Sequence, residues 1–160
     1  MKVKETIGII AGLIGIIAGS MAIKNNLKKD SILQINGNWI LTFEIQKSNA
    51  QRYIDGELEY SYNVFFTQNG QIISGTGEKF KEIFYRKETQ YTGKQKTPIK
   101  INGSISTNQL NANINEVGTS RESTGFIKFQ SDDLVDGEAT GTFGTSAGNS
   151  SGIATLSKIK

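Results

Sequence analysis

Two patterns of hydrophobic residues divide the chain near residue 30. The first is an unbroken apolar run from Thr6 to Ile23, TIGIIAGLIGIIAGSMAI, which contains no charged side chain. A helix of this length measures roughly 27 Å at about 1.5 Å per residue, which is just sufficient to cross the hydrocarbon core of a bilayer. We therefore predict a membrane anchor helix with basic flanks in residues 1–30 and a separate domain in residues 31–160.

The second pattern is the alternation of apolar and polar residues that is typical of half-buried β-strands. Short turns separate the strands, and no convincing helix lies between them. This meander predicts an all-β fold, a small antiparallel eight-stranded barrel of the lipocalin or avidin type, with a two-sheet sandwich as the main alternative. Such a barrel holds one small ligand or is filled by side chains. The predicted strands cover about residues 39–45, 58–66, 71–84, 99–106, 109–117, 122–131, 134–145 and 152–159.

Glycine positions predict where the chain turns and bends. Asn69-Gly70 is the strongest hairpin signal, because this dipeptide accepts the positive φ angles of a type I′ turn. Five other glycines fall inside predicted strands, where glycine often marks a bend or a coiled corner. They are Gly75, Gly77, Gly103, Gly125 and Gly141.

The composition excludes several classes of enzyme. The chain has no Cys and no His, so it has no Ser-His-Asp triad, no cysteine nucleophile and no ordinary zinc site. Carboxylate pairs such as Asp132-Asp133 fall at predicted turns, where we expect them to be solvated. The sequence therefore predicts a binding protein and not an enzyme, with no cofactor and no metal site.

The net charge of +3 belongs to the first thirty residues, which carry five basic and two acidic side chains. Residues 31–160 carry 13 of each sign, so DNA or RNA polymer is not an expected partner. Lys24, Lys28 and Lys29 follow the apolar run, and positive charge is retained in the cytoplasm. This predicts an uncleaved, single-pass anchor in the lipid bilayer with the barrel facing the cytoplasm. The alternative is a signal peptide cleaved near Ala18-Gly19-Ser20.

Small residues recur along the apolar run at alternating spacings of four and three. They fall on one face of a helix, where they allow backbones to approach closely, and this is how helices associate in lipid. We therefore predict a homo-oligomer formed through the membrane helix. The small residues are Gly8, Gly12, Gly15, Gly19 and Ala22.

Residues 79–100, which we call the basic segment, carry seven basic and two acidic side chains. The stretch between Ile83 and Ile99 is the longest connection of the predicted barrel. One interpretation is a basic lid over the barrel mouth that attracts an anionic ligand, with Arg86 among its cations. The other interpretation is a solvated loop.

Arg121 is the candidate anchor for an anionic ligand. Counting by twos places it on the same face as Ile127 and Phe129, so it points into the barrel if they do. A guanidinium in that place binds a phosphate through two hydrogen bonds while aromatic rings stack on a base. The opposite strand phase turns Lys128 inward, and an exposed Arg121 is a further alternative. The candidate ligand-binding residues are Arg121, Tyr60, Tyr62, Trp39, Arg86 and Lys128.

The layout of the chain resembles a family of bacterial antiphage effectors. The matching segments are GIIAGLIGIIAGSMAI, GNWILTF, YNVFFTQNGQIISGTG and the glycine-rich close DGEATGTFGTSAGNSSGIATL. The family comprises the membrane-anchored, β-strand-rich effectors of cyclic-oligonucleotide signalling (CBASS), which typically have two membrane spans, whereas this chain has one. The resemblance implies that the barrel senses a cyclic di- or oligonucleotide and that the helices then assemble and disrupt the bacterial inner membrane.

Two other hypotheses stay open at this point. The first is a secreted or anchored lipocalin-like carrier that binds a small apolar ligand. The second is a passive anchored scaffold whose barrel is filled by its own side chains.

Overall fold

The computed structural model describes residues 33–50, 58–93, 96–118, 122–130 and 133–160. These residues form an all-β antiparallel barrel, which confirms the predicted fold class of the domain. Short 3-10 turns at Asp133–Asp136 and Ala147–Asn149 precede the last two strands. The strands are β1 (Gly37–Lys47), β2 (Leu58–Asn69), β3 (Ile72–Phe84), β4 (Lys87–Gln90), β5 (Pro98–Ile105), β6 (Gln109–Val117), β7 (Glu122–Gln130), β8 (Glu138–Thr145) and β9 (Ser150–Lys158).

Eight of these strands close on themselves in chain order. Each long strand pairs with its neighbours along the chain, β3 pairs with β5, and β1 pairs with β9 to complete the barrel. The remaining strand is β4, which is not one of these eight and pairs with the last residues of β3. The prediction of a continuous loop between Ile83 and Ile99 is therefore wrong for the four residues of β4. The strand predicted at 134–145 is also too long, because it begins with a 3-10 turn.

The predicted membrane helix and its small residues from Gly8 to Ala22 lie outside the described residues. Among the residues that the structure does describe, there is no helix with the length and apolar character needed to cross a membrane.

One end of the barrel is closed by its own side chains. The amide of Ile35 donates to Gln68 Oε1 at 2.9 Å, and Gln68 Nε2 donates to the carbonyl of Leu33 at 2.9 Å. These bonds hold the segment before β1 over this end. Trp39 lies beneath it and donates from its indole nitrogen to the carbonyl of Ile35 at 2.8 Å. Leu134, from the turn before β8, completes the apolar closure.

Two tight turns of the barrel differ from the expected geometry. Asn69 pairs with Ile72, so the two loop residues are Gly70 and Gln71. Gly70 has a positive φ of 59°, and Gln71 does not have a positive φ. A positive φ at the first loop residue alone is the pattern of a type II′ turn, whereas the predicted type I′ turn has a positive φ at both. The hairpin between β3 and β4 has positive φ at both loop residues, Tyr85 (49°) and Arg86 (64°). That is the type I′ pattern, formed without glycine or asparagine.

Glycines on the inner face bring neighbouring strands unusually close together. A Cβ atom at Gly103 would lie 2.1 Å from the carbonyl oxygen of Asn111, and one at Gly141 would lie 2.1 Å from that of Lys128. These distances are far shorter than a van der Waals contact, so a side chain requires the strands to separate. The predicted role of strand glycines as sites of bending agrees with this geometry.

We expect Gly141→Ala to lower the free energy of unfolding by about 2 kcal/mol, because the new methyl group clashes with the backbone of β7. Urea denaturation of the full-length chain measures the change. Thr142→Ala is the matched control, since Thr142 is the next residue and faces outward. Equal stability of the two variants would contradict the close approach of β7 and β8.

We expect Arg86→Gly to stabilise the β3–β4 hairpin by about 1 kcal/mol, because glycine adopts a φ of 64° without steric strain. Hydrogen exchange of the Tyr91 amide, which donates to the carbonyl of Phe80 at 2.8 Å, measures this local effect. The exchange should slow roughly fivefold. Glu88→Gly serves as the control and should accelerate the exchange, since glycine weakens an extended strand.

Candidate ligand-binding site

The open end of the barrel contains a cavity of about 210 Å³. It lies where β1, β3, β6 and β8 end and where β2, β5, β7 and β9 begin, opposite the closed end. Four aromatic rings form much of its wall. The edge of Phe43 packs on Tyr62 with ring centres 5.6 Å apart, and Phe43 also packs on Phe143 at 4.6 Å. Tyr60, Ile45 and Ile114 extend this apolar lining.

An ion pair lies inside this aromatic wall. Lys79 Nζ donates to Glu116 Oε1 at 3.0 Å, and the Tyr62 hydroxyl donates to Glu116 Oε2. The Lys79 ammonium also lies over the Tyr60 ring, 4.4 Å from its centre. The Lys79 side chain is only 12% exposed, and that of Glu116 is 26% exposed. The cavity therefore contains a partly buried lysine and a carboxylate that balance each other.

Strand register places these two charges in the cavity. Ile73, Gly75 and Gly77 face inward on β3, and Lys79 is the next inward residue of the same strand. A register shift between Ser61 and Tyr62 then sets Tyr62 opposite Lys79. Glu116 follows Leu110, Ala112 and Ile114 on the inner face of β6 in the same way. Sequence reasoning missed both residues, although counting by twos along β3 and β6 identifies them.

A second polar pair lies beside the first on the cavity wall, since Ser123 of β7 is the cross-strand partner of Glu116 of β6. The hydroxyl groups of Ser123 and Thr145 are 2.6 Å apart and share a hydrogen bond. Thr145 Oγ1 also accepts from the amide of Ala147 at 3.2 Å. This bond joins the end of β8 to the turn before β9, so the wall is braced by its own hydrogen bonds.

Carboxylates from other parts of the chain pair with three lysines of the basic segment. Lys79 pairs with Glu116, Lys81 pairs with Glu59 at 3.0 Å, and Lys96 pairs with Glu78 at 3.2 Å. The carboxylates come from β2, β3 and β6, and all three lie outside the basic segment in the sequence. Counting charge along the sequence therefore overestimates the positive field at the mouth.

The structure brings together only two of the six residues predicted to bind ligand. Tyr60 and Tyr62 line the cavity. Trp39 is 1% exposed in the closed end and does not reach the cavity, so its ring is not accessible for stacking. Arg86 is at the tip of the β3–β4 hairpin, beyond the cavity wall. Arg121 lies outside the described residues.

The strand phase of β7 explains the position of Lys128. Ile127 and Phe129 are buried, whereas Phe126 and Lys128 are exposed on the outer surface. The structure therefore has the strand phase in which Ile127 and Phe129 face inward, which is the first of the two phases considered from the sequence. Lys128 does not face the interior, and its predicted contact with an enclosed ligand is wrong for that reason.

Burial and neighbouring carboxylates raise the pKa of two tyrosines at this end. Burial is the main cause for Tyr62, whose pKa is well above its usual value of 10 and is raised further by Glu116. Burial and the hydrogen bond to Glu82, 2.8 Å long, raise the pKa of Tyr91 to about 12. Both hydroxyl groups are therefore neutral donors at physiological pH.

The raised pKa of Tyr62 predicts a loss of stability at alkaline pH. The unfolded chain releases this proton near pH 10, whereas the folded barrel retains it to higher pH. The stabilisation is thus complete below pH 10 and is lost as the pH rises above it. We expect the free energy of unfolding to fall more steeply above pH 10 in the wild type than in Tyr62→Phe. Urea denaturation across this pH range measures the slopes.

Tyr85→Phe is the control for this measurement, since Tyr85 is exposed at a turn and its replacement should leave the slope unchanged. A slope for Tyr62→Phe that matches the wild type would show that Tyr62 is accessible to solvent in the folded barrel.

Comparisons with known proteins identify the fold of the domain. No protein-family model matches the chain, and no curated protein matches it. Among solved structures, a redesigned β-barrel is similar, with a TM-score of 0.54 over 79% of this chain and 92% of that chain. The two sequences are 11% identical, so this similarity concerns the fold alone. The domain thus belongs to the class of small antiparallel β-barrels, here with one aromatic-lined cavity at its open end.

Proposed function

We propose that the barrel is a small-molecule binding domain and that the cavity takes one ligand of about single-ring size. The cavity of about 210 Å³ carries this proposal. An apolar cavity of about 150 Å³ is sufficient to bind benzene, so this one accommodates an aromatic or alicyclic ring with a short substituent. The hypothesis of a carrier for a small apolar ligand is the one that this volume favours.

The lining supports the same proposal. Phe43, Tyr60, Tyr62 and Phe143 supply flat apolar surface against which a ring packs. Polar side chains share the lining with these rings, and they include the Lys79–Glu116 pair, the Ser123–Thr145 pair, Thr97 and Ser150. Small-molecule sites combine aromatic surface with placed polar groups, and the polar groups set the orientation of the ligand.

The cyclic-nucleotide hypothesis is supported by the layout of the sequence, with its predicted membrane helix and its barrel. A cyclic dinucleotide carries two bases and two phosphates, which is more than a single-ring cavity encloses. Such a ligand therefore has to lie across the mouth and contact the rim, where Arg86 and Lys87 belong to the β3–β4 hairpin. In this proposal, binding at the rim triggers assembly of the membrane helices and disruption of the inner membrane.

We expect Ser123→Phe to abolish binding of single-ring compounds, because the new ring fills the cavity from its β7 wall. Titration of the full-length chain with isopropylbenzene, followed by protein NMR shifts of the Phe43 and Phe143 rings, measures binding. Thr124→Phe is the matched control, since Thr124 is the adjacent residue on the outer face, and it should bind like the wild type.

A titration with cyclic dinucleotides at physiological salt separates the two proposals. Binding that persists in Ser123→Phe and is lost in Arg86→Ala supports the rim site and the sensor hypothesis. Binding of single-ring compounds together with no response to any cyclic dinucleotide supports the carrier hypothesis. A folded barrel that binds neither class contradicts the proposed function and leaves the passive scaffold.

A further inference from the structure

The polar atoms of the cavity differ in how many hydrogen bonds they have left to make. This inference rests on the proposed function, since it concerns the ligand of the same cavity. Both oxygens of Glu116 are engaged, one by Tyr62 and the other by Lys79. The Lys79 ammonium has three N–H donors and, within the described residues, one hydrogen-bond acceptor. Each carboxylate oxygen accepts up to two hydrogen bonds, so Glu116 also keeps acceptor sites, but its side chain is 26% exposed and water reaches them. The free donors of Lys79 are therefore the polar groups of this pair that depend most on a ligand.

The position of Lys79 adds to this asymmetry. Its side chain is 12% exposed, so few water molecules reach the ammonium. Burial of a charged donor without its full set of acceptors is unfavourable. Tyr60 provides a partial substitute through the face of its ring. An oxygen atom of a ligand can accept a hydrogen bond from the Lys79 ammonium and replace a missing acceptor. Such an atom is therefore favoured beside Lys79.

The local charges select against a charged ligand. A ligand anion meets a lysine that Glu116 already neutralises, with a second carboxylate, Glu82, close enough to raise the pKa of Tyr62. A ligand cation meets the Lys79 ammonium, which already balances the charge of Glu116. In either case the ligand ion loses its hydration without gaining a free counter-ion from the described lining of the cavity. An uncharged ligand avoids this penalty.

We propose that the cavity binds an uncharged single-ring compound that carries one carbonyl or hydroxyl oxygen, and that Lys79 donates a hydrogen bond to that oxygen. Glu116 and Tyr62 act as positioning residues, because they hold the ammonium against the aromatic wall. Phe43 and Phe143 pack on the ring of the ligand. The apolar lining supplies affinity, and Lys79 supplies the preference for an oxygen-bearing head group.

Four compounds of matched size test this proposal: isopropylbenzene, acetophenone, benzoate and benzamidine. They share a phenyl ring and have the same number of non-hydrogen atoms, and their head groups are apolar, uncharged acceptor, anionic and cationic. We expect the full-length wild-type chain to bind acetophenone roughly fivefold to tenfold more tightly than isopropylbenzene, as one added hydrogen bond implies. Benzoate and benzamidine should bind more weakly than isopropylbenzene.

The triple variant Tyr62→Phe/Lys79→Met/Glu116→Leu removes both charges together with the hydroxyl that donates to Glu116, so it leaves no unpaired ion and no freed donor from this network. We expect it to bind isopropylbenzene and to show equal affinity for acetophenone. Lys128→Met is the control for loss of a lysine, since Lys128 faces outward, and it should retain the wild-type ratio. In the wild type, acetophenone should also shift the ε-methylene NMR signal of Lys79 and not that of Lys128, a readout that needs no variant.

The outcomes distinguish this inference from the proposed function. Equal affinity for acetophenone and isopropylbenzene in the wild type overturns the role of Lys79 and retains the single-ring site. Tightest binding of benzoate or benzamidine overturns the uncharged head group in the same way. Binding of none of the four compounds contradicts the single-ring site itself.

Discussion

Closure of the sheet depends on the inward-facing glycines, and the rest of the structure depends on closure. An eight-stranded barrel is strongly curved, so its strands need positions at which the inner face has no side chain. At Gly103 and Gly141 the backbone of a neighbouring strand occupies the space that a Cβ atom would take. The same residues pair with Ala112 and Ala154, whose small side chains also fit the crowded inner face. With β1 paired to β9, each of the eight long strands described here has a partner on both sides.

Closure divides the interior into two regions with different roles. Large apolar side chains and the segment before β1 fill the closed end. There the Trp39 indole donates a hydrogen bond to the carbonyl of Ile35. At the open end the inward positions include the Lys79–Glu116 pair beside the rings of Phe43, Tyr62 and Phe143. The first region stabilises the barrel, and the second leaves a cavity. One continuous alternation of inward residues thus produces a filled core at one end and a cavity at the other.

Pairing across strands also sets the electrostatics of the mouth. The basic segment has an excess of lysine when it is counted along the chain, but Glu59, Glu78 and Glu116 pair with three of its lysines. The resulting cavity contains charges that are locally balanced. This balance is the basis of our proposal that the cavity takes an uncharged ligand and not a polyanion.

The sequence by itself determined the fold class and most strand positions, because alternation with a period of two depends only on neighbouring residues, but it left both phases of β7 open. The same count extended from Ile73 to Lys79 and from Leu110 to Glu116 predicts which charges face inward. The tertiary structure alone decided that Lys79 and Glu116, 37 residues apart, form a pair, and that Trp39 lies at the end away from the cavity. It also decided the type of turn at Gly70 and the formation of β4. These features depend on register and on which strands become neighbours, and a long-range pairing of this kind leaves no periodic signal in the sequence.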